Sequence, residues 1–163
     1  MSYWEAPAIA VTVRAALLAT ALFFALPALA ADLDPASAKV LHDYTLSMDK
    51  VRAMQATMDD FNKAAASDPS FKRESDQAGD NDKTVAEMIA KVKATPRMLA
   101  MYQKHGLTAE DAVVMPFVLM DAGMAVQYPS AAAKLSPQMS AAQVAFYKEH
   151  QAELKNMPWL FGQ

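Results

Sequence analysis

The chemistry open to this chain rests on three histidines, one isolated carboxylate and many methionines, with no cysteine at all. From Ala112 to Ala133 the only charged residue is Asp121, set in "PFVLMDAGM". A carboxylate among apolar side chains is either paired with a cation or hydroxyl from another element, or has its ionisation pushed up by desolvation. Groups of the second kind gather at functional sites. At about 100° per residue, Glu110, Val114, Phe117 and Asp121 fall on nearly one line of a helix. Asp121 thus has two readings. It is a structural residue of an ordinary buried helix, the default, or it is a polar anchor for a ligand or partner. In the second case Val114, Phe117, Met120 and Met124 form the apolar surface around it. Pro116 cannot donate to the Ala112 carbonyl and bends this helix near its middle.

His42, His105 and His150 open a metal reading. Tyr102/His105 and Tyr147/His150 share a Tyr-x-x-His spacing on separate helices, so the two histidines could converge if those helices are neighbours. No Glu-x-x-His or His-x-x-x-His pair supplies further ligands. Soft thioethers favour Cu(I), but the methionines fall at core positions of helices, where they serve as adaptable filler. A non-covalent haem between Met48 or Met54 and His150 is the version to test. Asp76, Asp80 and Asp82 lack the oxygen spacing and distal glutamate of a calcium loop, so a solvated acidic loop is expected there. A third reading is acid–base catalysis by His105 with Asp111 or Asp121. The chain has no G-x-S-x-G elbow, no H-E-x-x-H and no phosphate-cradling glycine loop. No cofactor is assigned.

Elements must position these groups, and the ends of the chain bound what those elements are. Arg14, the apolar run 15–26, Pro27 and the small residues Ala28 and Ala30 have the layout of a secretory signal peptide over 1–30, cut before Ala31. The run is short of the roughly 20 residues a membrane span needs, so no anchor is expected after cleavage. The lack of cysteine excludes disulfides, lipid attachment through an N-terminal thiol, covalent haem and cysteine-based zinc sites. A net charge of −3, unchanged by loss of Arg14 and Glu5, offers no basic patch for nucleic acid. Residues 31–163 suffice for one domain with a single core, expected in the periplasm or outside the cell.

Four glycines are few for a β-rich domain, and abundant alanine and methionine favour helices. Asp34-Pro35 starts a long amphipathic helix over about 35–66, with Leu41, Tyr44, Met48, Val51, Met54, Met58 and Phe61 as its apolar stripe. Asp68-Pro69 starts one or two further turns, and 75–83 reads as a loop. Asp82 or Thr84 opens a helix through Val92, and Thr95-Pro96 starts another that Gly106 stops. Thr108 with Asp111 makes a capping box for 109–127, the most apolar helix and therefore the central one. After an alanine-rich link, Ser140 with Gln143 caps a last helix over 141–156, and the tail "NMPWLFGQ" docks on the bundle.

The segments "VLHDYTLSMDKVRAM", "TVAEMIAKV", "PRMLAMYQKHGLTAEDAVVMPFVLMDAGMA" and "VAFYKEHQAEL" together cover most of 39–155. In this order they resemble a family of short exported all-helical proteins of unknown function from Gram-negative bacteria. The resemblance implies export and an all-α fold, and carries no functional residues. The expectation is one all-α domain, a single bundle of about five helices. Its leading function is a non-enzymatic binding or protein-interaction module, taking an unknown protein partner or an apolar small ligand, or self-associating.

Overall fold

The computed structural model describes residues 34–77, 84–130 and 139–161. The leader at 1–30, the loop residues 78–83 with their aspartates Asp80 and Asp82, and most of the alanine-rich link lie outside the described residues. Everything described is helix or connection, with no strand. In chain order the helices are α1 (Pro35–Asp43), α2 (Met48–Ser67), α3 (Pro69–Gln77) and α4 (Val85–Ala94). Then follow α5 (Pro96–Lys104), α6 (Ala109–Gln127), α7 (Ala141–Leu154) and α8 (Pro158–Phe161). The starts are set by the expected caps. Asp34 accepts from the N–H groups of Ala36 and Ser37, and Thr84, Thr108 and Ser140 each form a complete capping box. Gly106 ends the α5 turn at φ 75°, a conformation that glycine enters without a Cβ penalty.

The long helix expected over 35–66 is two helices, α1 and α2, joined by extended residues 44–47. Helical spacing accounts for Tyr44 and Met48 but leaves Leu46 on the polar side. The chain instead buries Tyr44, Leu46 and Met48 while Thr45 is exposed, the alternation of an extended segment. Ser47 then caps α2 by accepting from the Lys50 N–H. The carbonyls left open at the end of α1 find a partner from far along the chain. The Gln143 side-chain amide on α7 donates to the Leu41 and Tyr44 carbonyls at 2.8 Å each, and to His42 at 3.2 Å. Its oxygen meanwhile accepts from Ser140 N–H, completing the α7 cap.

Helix α6 is central, as expected, and contacts α1, α2, α4, α5 and α7. Val114, Met115, Val118, Leu119 and Ala122 are at most 1% exposed, and they join Val51, Met54, Val85, Tyr147 and Leu154 in one core. Met157, Trp159 and Leu160 of the tail lie against that core. The α6–α7 contact depends on Gly123. A Cβ there would stand 2.9 Å from Tyr147 Cζ and 3.0 Å from Cε2, closer than carbon atoms pack. Tyr147 is itself buried, so its ring has nowhere to retreat. Gly123→Ala should therefore cost about 1–3 kcal/mol from overpacking, set against roughly 1 kcal/mol gained in helix propensity. Urea unfolding reads the net loss, and an unchanged midpoint would show that α7 shifts without penalty.

Candidate functional site

Three polar features stand out among the described residues. The first surrounds Asp111, the third residue of α6 and only 3% exposed. Its Oδ2 accepts from Thr108 N–H at 2.9 Å and Thr108 Oγ1 at 2.7 Å, while Oδ1 accepts from Tyr44 Oη at 2.6 Å and Lys50 Nζ at 2.7 Å. Burial pushes this carboxyl up, but the hydrogen bonds from Lys50, Tyr44 and Thr108 outweigh it and hold the group down at about 2. Burial, and then the bond to Asp111, push the Tyr44 hydroxyl far above its ordinary value, which removes it as a nucleophile. Beside the cluster a shallow cleft of about 380 Å³ is lined by Ala36, Lys39, Val40, Asp43, Tyr44 and Glu110. Every oxygen of Asp111 is occupied by the fold, so the cluster ties the α1–α2 corner to α6.

The second cluster answers the acid–base expectation. His105 pairs with neither Asp111 nor Asp121. Its Nε2 lies 2.9 Å from Oδ2 of Asp60 on α2, and Lys104 Nζ reaches the same oxygen at 2.6 Å. Hydrogen bonds from Lys104 and His105 hold the Asp60 carboxyl down at about 2. A carboxylate shared by an ammonium and an imidazole is a latch between α2 and the end of α5. The other histidines stand apart from it. His42 lies 3.1 Å from Asp43 at the exposed end of α1, and His150 packs on the Phe146 ring at 4.6 Å between centroids. Among the described residues no three of His, Asp and Glu come together as metal ligands.

The third is the C-terminal half of α6. Gly123 faces α7, and Asp121 lies about 200° around the helix from it, so its carboxyl is directed away from that contact. Asp121 is half-buried, and among the described residues it accepts no hydrogen bond and forms no ion pair. Burial alone pushes its carboxyl up to about 6. Of the four residues expected to surround it, Val114 is 0% exposed and belongs to the core, so no solvent-facing stripe runs from Glu110 to Asp121. The first half of α6 is buried on several sides, and the expectation for Val114 is corrected accordingly. Phe117 is half-buried against the core edge, and Met120 is half-buried. Met124 is 37% exposed, and Tyr128, one residue past the helix, is 59% exposed. Tyr128 was not among the expected surface residues, although its position seven after Asp121 puts it two turns along the same face.

No protein family, curated protein or solved structure matches the chain. The functional reading therefore stands on these geometries. Of the three features, two are internally satisfied and one is not.

Proposed function

We propose that the protein is a non-enzymatic binding module of the periplasm or cell exterior, and that it binds through the C-terminal half of α6. The observation that supports this reading is Asp121, a half-buried carboxylate with no partner among the described residues. A desolvated acid beside exposed Met124 and Tyr128 is the group that an incoming ligand would satisfy. The likeness to short exported helical proteins and the leader-like segment 1–30 support that location. No described helix is long and apolar enough to cross a membrane.

Native mass spectrometry of the chain expressed in a Gram-negative cell tests both halves. The expected species starts at Ala31, is recovered from the periplasm, and carries excess non-covalent mass that is lost in a variant altered at Met124 and Tyr128. A chain retaining residues 1–30 in the cytoplasm would sink the location, and a wild-type mass with no adduct under gentle conditions would sink the tight-ligand form of the reading.

A specific observation favours one second reading, catalysis by the His105–Asp60 pair. It ranks below the first because Lys104 occupies the same carboxylate oxygen. His105→Ala should loosen the α2–α5 latch without removing any activity. Loss of an activity with the fold intact would reverse this order.

A further inference from the structure

The unsatisfied group on α6 also constrains what binds there. We infer that the ligand is a small amphipathic amine, whose ammonium head seats on Asp121 beside Phe117 and Met120 and whose apolar body lies along Met124 and Tyr128. This rests on the binding reading above and names the chemical class it takes.

Charge argues for a cation. The Asp121 carboxylate has no ammonium, guanidinium, imidazole or hydroxyl against it among the described residues, whereas Asp60, Asp68 and Asp111 each have at least two donors. A charge-assisted hydrogen bond from an ammonium is about twice as strong as one from a neutral donor. A metal ion finds less here, because the residues flanking Asp121 are apolar and its remaining ligands would have to be waters. The flanking residues also suit an organic cation. The faces of Phe117 and Tyr128 attract ammonium groups, and the unbranched thioethers of Met120 and Met124 conform to an irregular apolar body.

Area argues for a small molecule. A protein interface of standard size covers about 800 Å² on each side. The face has four flanking residues, of which only Tyr128, at 59%, and Met124, at 37%, are openly exposed, far short of that area. From Asp121 to Tyr128 the face runs about 10 Å along the helix axis, the length of an alkyl chain of about eight carbons.

Calorimetric titration of the purified full chain with n-octylammonium, whose N–H groups can donate to the carboxylate, against the neutral n-octyl glucoside, tests this below the micelle-forming concentration of each. At pH 8 the ammonium compound is expected to bind about tenfold more tightly than the neutral one, the preference a charged hydrogen-bonding partner confers. That preference should vanish in Asp121→Asn and shrink when the wild type is titrated at pH 5. Met124→Ala should weaken both compounds alike. Equal affinity for the two amphiphiles, or a preference that survives Asp121→Asn, overturns the amine while leaving an apolar binding face. Absence of binding by either compound to folded wild type overturns the face itself. Dimerisation on adding either amphiphile, or without any, would replace the small ligand by a second copy of the chain.

Discussion

Asp111→Ala is expected to lower the stability of the fold by about 3 kcal/mol, the sum of a lost helix cap and an orphaned buried hydroxyl. The cap matters because Thr108 and Asp111 satisfy each other's backbone N–H groups at the start of α6. The hydroxyl matters because Tyr44 is 7% exposed and, among the described residues, donates to Asp111 alone. Lys50 adds little, since its side chain is 42% exposed and can return to water when its partner goes. Tyr44→Phe should therefore cost only about 1 kcal/mol, and the double variant should cost less than the two losses added together. Strict additivity in urea unfolding would show that the pair is not coupled. The same carboxyl sets an acid limit. It titrates at about 2 when folded and near 3.8 when unfolded. Its contribution of about 2 kcal/mol is whole above the unfolded value and drains away as pH falls toward the folded one.

Asp121→Asn should have the opposite sign. In the unfolded chain this carboxyl ionises near 3.8, while in the fold it keeps its proton up to about 6. Between those values the folded state binds more protons than the unfolded state, so stability falls as pH rises. Above about 6 the wild type carries the full cost of a desolvated charge, on the order of 2 kcal/mol once partial exposure is allowed for. The asparagine variant has no charge to desolvate. It should match the wild type at pH 4 and exceed it by that amount at pH 8, with thermal unfolding at the two pH values as the measurement. A wild type whose unfolding temperature does not drop between pH 4 and pH 7 relative to the variant would mean the carboxylate is already satisfied. The binding proposal would fall with it. Evolution toward stability alone would remove such a residue.

Both residues were visible in the sequence, but in different degrees. Capping signals are local, so Thr108/Asp111, Ser140/Gln143, Asp34-Pro35 and Gly106 located their helix ends within a residue or two. The near-absence of charge in 112–133 singled out α6 as central. What stayed hidden depended on contacts between distant segments. Nothing near Asp111 announces that Tyr44 and Lys50 arrive from 67 and 61 positions away. The break at 44–47 was obscured because Tyr44 and Met48 fit a helical stripe as well as an extended one, and only the burial of Leu46 separates the two. Proximity along the chain suggests Asp111 or Asp121 for His105, while its partner, Asp60, comes from α2. Helical angle alone puts Val114 on a line with Asp121, and angle cannot say how many neighbours a helix has.

The side chain of Gln143 closes the end of α1 from 102 positions away. Helix α1 is made well before α7, so the donor its last carbonyls require leaves the ribosome only after α2 to α6 have been made. A nascent chain stopped before Ser140 has no substitute for that amide, and a nine-residue helix has little stability of its own. The N-terminal corner therefore cannot settle until the C-terminal helix arrives, and such distant closures slow folding. A truncation that removes α7 is therefore expected to loosen a corner of the fold that lies a hundred positions upstream of the cut.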